Sequence, residues 1–351
     1  MNPSVRPVTN HSRSRAAGRR RWLAIALCLV SLFLLGAGLA AGSNGWRWPF
    51  EAGGDDASGS LILYDIRLPR TLGAWLTGAL LGVAGAIAQG LFRNPLADPY
   101  LLGSASGASL AVMLVLSAGA LTGASPDLAA SAMVEFFRNT GLVLAAFVGA
   151  LGGVLLTLVL ARGAEQSIRL LLAGVVVGVV LGAIGELLSS YLPEILAARQ
   201  AFMLGSTGFI GWSGVVLLAA GAVVVLPVGW RFARGLDALA LGEETARSLG
   251  LSLIRLRVLL IACLALATAL AVSQAGLIPF VGLVAPHLVR RFAPGLQAFV
   301  VPASGMMGGC LLLSADLLAR TLISPAELPV GVLSAVLGGG YLLWLLHRRP
   351  A

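Results

Sequence analysis

The segment RFARGLDALALGEETARSLGLSLIRLR, residues 231–257, carries charge in the middle of a largely apolar chain. Apolar runs long enough to cross a bilayer lie on both sides of it. Gly242 divides the segment into two short helical patterns, and Gly250 provides a C-terminal stop for the second. Glu243 and Glu244 occupy the first turn of that second helix, where the helix dipole favours acidic side chains. Such a segment is typical of a docking surface for a partner, although an ordinary solvated loop has the same composition.

Side-chain spacing gives this segment a candidate partner-facing surface. Leu236 and Leu239 fall on one face of the first helix, together with Ala240. Glu243 precedes Arg247 by four residues, the spacing at which opposite charges pair on a helix. The segment therefore offers both an apolar face and charged side chains.

The composition excludes a soluble protein. Hydrophobic residues make up 58% of the 351-residue chain, charged residues make up only 11%, and the mean hydropathy is +0.92. A water-soluble domain of this length could not bury so much apolar surface. The 45 glycines are typical of closely packed transmembrane helices, and the alternating ten-residue pattern of membrane β-barrels is missing. The sequence therefore predicts an all-α polytopic membrane protein.

The basic residues are all arginine, since the chain has 24 arginines and no lysine. A Walker A motif, a Schiff-base site and a kinase-type phosphate site each require a lysine, so the chain cannot itself be a P-loop ATPase. The three cysteines lie far apart in apolar runs, and the three histidines are equally scattered. We therefore expect no catalytic residues, no metal site and no cofactor bound by this chain.

Ten apolar segments follow a basic tail at residues 1–21 and form one transmembrane domain over residues 22–351. The eighth segment is short and is interrupted by Pro279 and Pro286. Irregular backbone of this kind must be buried in protein or line a cavity at membrane depth. The approximate segments are 22–42, 71–92, 100–117, 140–160, 170–191, 206–230, 258–275, 276–291, 297–318 and 328–346.

The distribution of arginine predicts the orientation of these segments. Eighteen of the 24 arginines fall on the side of the N-terminal tail, and six fall on the other side. The positive-inside rule then places both termini and residues 231–257 in the cytoplasm.

Acidic residues within the predicted spans are few, and they bear on the energy source. Glu186 and Asp316 both lie near the outer ends of their spans. An ion-driven carrier usually has ionisable residues near the midplane, so this arrangement favours an energy source outside the chain. An ion-coupled secondary transporter stays an alternative, as does a membrane receptor or scaffold that recruits a cytosolic protein. An intramembrane enzyme is a third, but the sequence offers no nucleophile–base or metal constellation to support it.

Five blocks of sequence carry a family resemblance that covers nearly the whole chain after the tail. They are RLPRT (67–71), QGLFRNPLADP with LGSASGA (89–99 and 102–108), LALGEETARSLG (239–250), GLIPFVGLVAPHLVRR (276–291) and AELPVG (326–331). In order and spacing, the chain resembles the permease subunits of bacterial ABC importers for iron-siderophores, haem and cobalamin, the FecCD/BtuC-like family.

The resemblance implies a type II ABC importer permease fold in the bacterial inner (cytoplasmic) membrane. Two copies would form a homodimer in the lipid bilayer, two ABC ATPase subunits would bind from the cytoplasm, and a periplasmic binding protein would deliver the cargo. ATP and Mg²⁺ would bind to the ATPase, and nucleic acid is not among the implied partners. The same blocks occur in permeases for all three cargoes, so the chelate stays open.

The resemblance also implies three groups of site residues. Arg67, Arg70 and Arg320 would receive acidic residues of the binding protein, with interfacial snorkelling at helix ends as the alternative. The coupling helices, at about residues 236–250, would contact the ATPase through Leu239, Leu241, Gly242, Glu243, Glu244, Arg247, Leu249 and Gly250. A cytoplasmic gate, with ordinary packing and capping as the alternative, would use Asn94, Leu96, Ser167 and Ile168. Some relatives carry two hydroxyl residues at the last pair, so Ile168 weakens the case for a polar gate.

Overall fold

The described part of the chain is almost entirely helical. The computed structural model describes residues 10–42, 45–46, 56–121, 132–163, 167–192 and 195–347. The helices are α1 Asn10–Ala40, α2 Asp56–Leu61, α3 Leu68–Phe92, α4 Ser104–Leu121, α5 Ala132–Leu160, α6 Ser167–Tyr191, α7 Leu196–Leu204, α8 Trp212–Arg231, α9 Ala233–Ala240, α10 Glu243–Ser248, α11 Leu253–Ala275, α12 Val281–Phe292, α13 Gln297–Thr321 and α14 Val330–His347. A π-helical stretch spans Ile62–Arg67, a 3₁₀ turn spans Pro99–Leu102, and β1 (Ala41–Gly42) pairs antiparallel with β2 (Gly45–Trp46).

Each of the ten predicted apolar segments corresponds to a helix. Seven helices in the described ranges are long and apolar enough to cross a membrane, and two shorter apolar helices span Ser104–Ala118 and Val330–Leu345. The remaining segment contains α12, whose 12 residues give a length of only about 18 Å. Because a bilayer core is about 30 Å thick, α12 cannot cross it alone. The all-α polytopic class is therefore confirmed, and the number of ten crossings stays a prediction.

Several helix boundaries differ from the sequence-based prediction. The first helix begins at Asn10, inside the predicted tail, and the second is preceded by α2 and the π-helical stretch. That stretch ends two residues before Pro69, which has no backbone N–H and therefore interrupts the regular i to i−4 bonding upstream. In the predicted outer loop after α6, the chain forms α7. Local apolar content could not show these polar helical turns.

The centre of the fold is α3, which packs against α8, α11, α12 and α13. Small residues allow this close approach. A Cβ on Gly82 would lie 2.0 Å from the carbonyl oxygen of Ser304 in α13, and one on Gly85 would lie 1.6 Å from that of Gly282 in α12. The backbones of α3, α12 and α13 are therefore in direct contact, as is common between transmembrane helices. By contrast, α1 and α6 keep mostly exposed apolar faces.

The irregular segment predicted around Pro279 is present between α11 and α12. Ile278 is buried, and the backbone N–H of Leu277 donates to the carbonyl of Phe202 at 3.1 Å. Gly276 and Phe280 both adopt left-handed backbone conformations, with φ of 67° and 68°. The other residues of the segment are half-buried, and Phe280 lines a cavity of about 190 Å³, so the segment is partly enclosed by protein and partly borders a cavity.

Candidate coupling and docking sites

Two short helices, α9 and α10, form the predicted structure between α8 and α11, and we call residues 233–250 the coupling unit. Gly242 separates the helices with φ of 112°, and Gly250 follows the second with φ of 80°. The N–H of Gly250 donates to the carbonyl of Arg247 at 2.9 Å, and that of Leu251 donates to Ala246 at 3.2 Å. This pair of bonds is a Schellman motif, which confirms Gly250 as the stop of the second helix. The position of Gly242 between α9 and α10 confirms it as the break between the two helices.

The two faces of the coupling unit differ from the prediction. Leu236 and Leu239 are buried in the protein's own core, so the expected apolar face of α9 cannot contact a partner in this conformation. For Leu236 the reason is a small neighbour, because its side chain packs on Gly90 of α3. Leu241 and Leu249, at 69% and 63% exposure, are instead the leucines that project outward.

Glu243 makes different ion pairs from the one that its spacing suggested. Its Oε1 lies 2.5 Å from Nη2 of Arg257 in α11 and 3.7 Å from Nη2 of Arg93, which ends α3. The predicted partner, Arg247, is exposed together with Glu244. Since Arg257 is almost fully buried, it loses more by being unpaired than the solvated Arg247 does. Glu243 therefore joins the coupling unit to two spans.

A second acidic side chain fastens the other helix of the coupling unit. Asp237 in α9 accepts a hydrogen bond from the backbone N–H of Gln297, the first residue of α13, at 3.0 Å. The carboxylate therefore serves a free N–H at a helix N-terminus, where negative charge is favourable. This contact was not predicted, because the two residues are 60 positions apart in the sequence.

Between the coupling unit and α11 there is a cleft of about 500 Å³. Glu243, Arg247 and Arg257 line it together with residues 251–254. Exposed Leu241, Glu244, Arg247 and Leu249 belong to the same unit. The arrangement presents two leucines and two charged groups of opposite sign on a surface whose inner side is fixed to the spans.

A group of mostly buried polar and charged side chains lies at the predicted outer ends of the spans. We call it the outer cluster, and its members are Arg70, Thr207, Asp316, Arg320 and Glu327. Arg70 donates to Oδ1 of Asp316 from Nε at 3.2 Å and from Nη2 at 3.1 Å. Thr207 donates to the same oxygen at 2.6 Å, and Arg320 donates to Oδ2. Asp316 has no exposed surface, and its charge is matched by two arginines.

The same arginines also hold the end of α1. Arg320 donates to the carbonyl of Gly38 at 3.2 Å, and Arg67 donates to those of Leu39 at 3.0 Å and Ala40 at 3.3 Å. These carbonyls belong to the last turn of α1, which lacks intrahelical donors and carries the negative end of the helix dipole. Two of the three predicted docking arginines thus cap a helix C-terminus.

The three predicted docking arginines therefore lie close together but differ in accessibility. Arg320 is 2% exposed, Arg70 is 8% exposed, and Arg67 is only partly buried. In this conformation their guanidinium groups are hydrogen-bonded to other parts of the same chain. Their role in docking stays a prediction. The alternative, an ion-coupled carrier, would need Glu186 or Asp316 to take up the coupling ion; Asp316 is bonded to two arginines, and Glu186 is paired with Arg199.

The predicted gate residues lie at the ends of α3 and α6. Asn94 accepts a hydrogen bond from the N–H of Leu96 at 2.9 Å, and the side chains of Leu96 and Ile168 are exposed. Ser167 begins α6, and its side chain lies outside the described part of the structure. The following 3₁₀ turn packs directly on α6, since a Cβ on Gly174 would lie 2.1 Å from the carbonyl oxygen of Leu101. This contact joins α6 to the chain just after Asn94 and Leu96, and a gating role for the four residues stays a prediction.

A further polar contact between spans was not predicted. Gln89 in α3 donates to the carbonyl of Leu283 in α12 at 3.0 Å and accepts a hydrogen bond from Arg290. It holds the short helix α12 against α3 at both a backbone and a side-chain group. Among the described residues there is no cluster of three or more histidine, cysteine or acidic side chains that could hold a metal ion.

Comparisons with known proteins place this fold and these motifs in one family. The model of the FecCD transport family matches residues 23–348. The chain belongs to that family. It is 40% identical to the "Hemin transport system permease protein HmuU" of Yersinia pestis, over 93% of this chain and 94% of that protein. It is 38% identical to the "Vitamin B12 import system permease protein BtuC" of Serratia proteamaculans (strain 568), over 96% and 95% of the two chains.

Solved structures agree with this family assignment. A structure described as an inward-facing, metal-chelate-type ABC transporter has a TM-score of 0.79 and 26% sequence identity, and it covers 94% of this chain and 99% of that one. PsaBC from Streptococcus pneumoniae in complex with Fab has a TM-score of 0.53 at 17% identity, with coverage of 79% and 91%, and so it shares the fold alone. The type II ABC importer permease fold expected from the sequence is confirmed.

Proposed function

We propose that this chain is the permease subunit of an ATP-driven importer that moves a metal chelate from the periplasm to the cytoplasm. The cargo class is iron-siderophore, haem or cobalamin, because the family relatives include haem and vitamin B12 permeases. The observation that carries the proposal is the coupling unit: its inner side is bonded to three spans, and its outer side exposes Leu241, Glu244, Arg247 and Leu249.

The importer contains two copies of this chain, two ABC ATPase subunits and a periplasmic binding protein. ATP and Mg²⁺ bind to the ATPase subunits, which carry out hydrolysis, and this chain binds no cofactor. Both termini lie in the cytoplasm, and the cargo path runs between the two copies in the inner membrane. The absence of lysine supports this division of labour, since this chain has no residue for a Walker A motif.

Alternating access follows from how the coupling unit is held. Movement of the ATPase displaces α10, and the Glu243–Arg257 contact transfers that movement to α11. Asp237 transfers movement of α9 to the N-terminus of α13. Arg93, 3.7 Å from Glu243, lies at the start of the turn that contains the proposed gate residues Asn94 and Leu96. Closure of the nucleotide sites therefore changes the positions of spans and gate together.

Co-purification and uptake test this function. The chain carries an affinity tag, is extracted from its native membrane, and is reconstituted with the proteins that remain bound. We expect an ATPase to be retained and one of the three cargoes to be taken up only with ATP. Replacing Glu244 and Arg247 together with glutamine reduces uptake by about tenfold or more, because two charged contacts to the ATPase are lost.

The matched control is Arg19→Gln, which removes an exposed charge from α1 outside the coupling unit. This variant should transport as the unchanged protein does. Uptake that proceeds without ATP and follows an ion gradient would overturn the proposal in favour of a secondary carrier. Normal ATP-driven uptake by the Glu244 and Arg247 variant would remove the coupling role of those residues.

A further inference from the structure

The contact between Arg70 and Glu327 involves a partly exposed acid, whereas Asp316, the other acid of the outer cluster, is fully buried. Nη1 and Nη2 of Arg70 each lie 2.9 Å from one carboxylate oxygen of Glu327, so the pair is bidentate. Glu327 precedes α14 in the segment 322–329, and its side chain is 34% exposed. It therefore covers the outward side of a guanidinium group whose inner side is bonded to Asp316.

The charges of the outer cluster show which acid can leave. Arg70 and Arg320 contribute two positive charges, and Asp316 and Glu327 contribute two negative charges. Asp316 accepts hydrogen bonds from three side chains in the fold's interior, so its removal would leave two buried cations with too few partners. Glu327 reaches solvent, and its hydrogen-bond partner within the cluster is Arg70. A second carboxylate is needed at Arg70, but it need not belong to this chain.

We propose that Glu327 holds the place of an external carboxylate on Arg70 and is displaced when an acidic side chain of a docking protein binds there. The proposal rests on the proposed function, in which the binding protein docks at this end of the permease. A guanidinium fork accepts a carboxylate in the same bidentate geometry from either source. Exchange of one carboxylate for another keeps the cluster neutral throughout.

Displacement of Glu327 reaches beyond the docking surface. Residues 322–329 are tied back to α13 by a hydrogen bond from the N–H of Leu328 to the carbonyl of Ala319 at 3.1 Å. The segment continues directly into α14, where a Cβ on Gly331 would lie 2.2 Å from the carbonyl oxygen of Leu204 and 2.7 Å from that of Leu277. The start of α14 thus packs on the end of α7 and on the irregular segment before α12. Release of Glu327 therefore loosens the segment that leads into α14, and the start of α14 contacts both α7 and the irregular segment.

Hydrogen–deuterium exchange on the full-length protein in lipid nanodiscs tests the exchange of carboxylates. The probe is sodium acetate, compared with sodium chloride at equal ionic strength and pH. We expect the amides of residues 326–332, including the bonded N–H groups of Ala326 and Leu328, to exchange about threefold faster or more in acetate. In Glu327→Gln the same amides should exchange at the faster rate in both salts, because a neutral amide holds Arg70 less strongly.

Glu186→Gln is the matched control, since it removes the acid of another arginine–glutamate pair at the predicted outer side, that with Arg199. It should leave the exchange of residues 326–332 and its response to acetate unchanged. Equal exchange in acetate and chloride for the unchanged protein, with slow exchange in Glu327→Gln, would overturn the proposal and assign Glu327 a fixed structural role.

Failure of this inference can be told apart from failure of the proposed function. An importer that takes up its cargo with ATP but shows no acetate effect keeps the function and loses the place-holder. A clear acetate effect in a chain that binds no ATPase and moves no cargo keeps the exchange at Arg70 but removes its role in docking.

Discussion

The coupling unit and the outer cluster both use acidic side chains to hold helices together, but they leave different charged groups exposed. In the coupling unit, Glu243 and Asp237 point inward and fasten a projecting structure, which leaves Glu244 and Arg247 exposed. In the outer cluster, the arginines expected at the surface are themselves buried and fasten three helices. The comparison teaches that burial, rather than a sequence motif, identifies the charges that hold the fold, and that the exposed charges beside them, Glu244 and Arg247 in one region and Glu327 in the other, are the ones a partner can reach.

The largest effect should come from Asp316 in the outer cluster. Asp316→Asn leaves Arg70 and Arg320 buried without a full counter-charge, and we expect it to lower the free energy of unfolding by about 3–5 kcal/mol. Thermal unfolding of the purified protein in detergent measures this. Glu186→Gln, which removes a largely exposed acid paired with Arg199, is the control and should change the melting temperature little. Similar losses in both variants would mean that burial does not decide the role of a charge.

Two leucines of the coupling unit sharpen the same comparison. Leu239→Ala leaves a cavity in the core and should cost about 2–5 kcal/mol of stability. Leu241→Ala, two residues away and 69% exposed, should leave stability unchanged but reduce ATP-dependent uptake. Unfolding and uptake measured on both variants separate the two roles. Equal behaviour of the two leucines would contradict the division into inner and outer sides.

A smaller effect is expected where the coupling unit joins the spans. Glu243→Gln weakens the contact to buried Arg257 and should cost about 1.5–3 kcal/mol. Uptake should fall while ATP hydrolysis continues, because the ATPase surface at Glu244 and Arg247 is intact. Glu244→Gln is the control for stability. Loss of ATPase binding in Glu243→Gln would place that side chain at the partner surface.

The turn after α3 contains an acidic residue, Asp98, whose effect on stability should depend on pH. Asp98, outside the spans, accepts a hydrogen bond from the N–H of Tyr100 at 2.8 Å, and burial raises its pKa to about 6. The pKa of an aspartate in the unfolded chain is about 3.9. Burial of the charged carboxylate therefore lowers the free energy of unfolding little below pH 4 and by its full amount above pH 6. Asp98→Asn keeps the acceptor and should gain about 2 kcal/mol relative to the unchanged protein on going from pH 4 to pH 7.5.

Thermal unfolding of both proteins across this pH range measures the difference. Asp98→Ala is the control, because it also removes the charge but loses the cap and should be destabilised at low pH. A constant difference between Asp98→Asn and the unchanged protein at all pH values would show that the carboxylate is solvated.

Local features of the sequence predicted the parts of the fold that depend on neighbouring residues. Hydropathy predicted the spans, and Gly242 and Gly250 predicted two short helices with a left-handed stop. The partners of Glu243, Asp237 and Asp316 were not predicted, because they depend on which helices pack together. Arg70 and Asp316 are 246 positions apart, and no periodicity connects them. The burial of Leu239 has the same origin, since helical spacing gives a face but not its direction.

That separation of 246 positions has a consequence for biosynthesis. In the proposed orientation, Arg70 is inserted near the start of translation, while its acidic partners Asp316 and Glu327 are still unmade. A nascent chain that has inserted only its first eight predicted segments carries an uncompensated cation at its outer edge, and α13 and its following segment neutralise it. The part of the chain from Gln297 onward, about the last sixth, therefore supplies both acidic partners of Arg70, and a chain cut short before Asp316 lacks both of them.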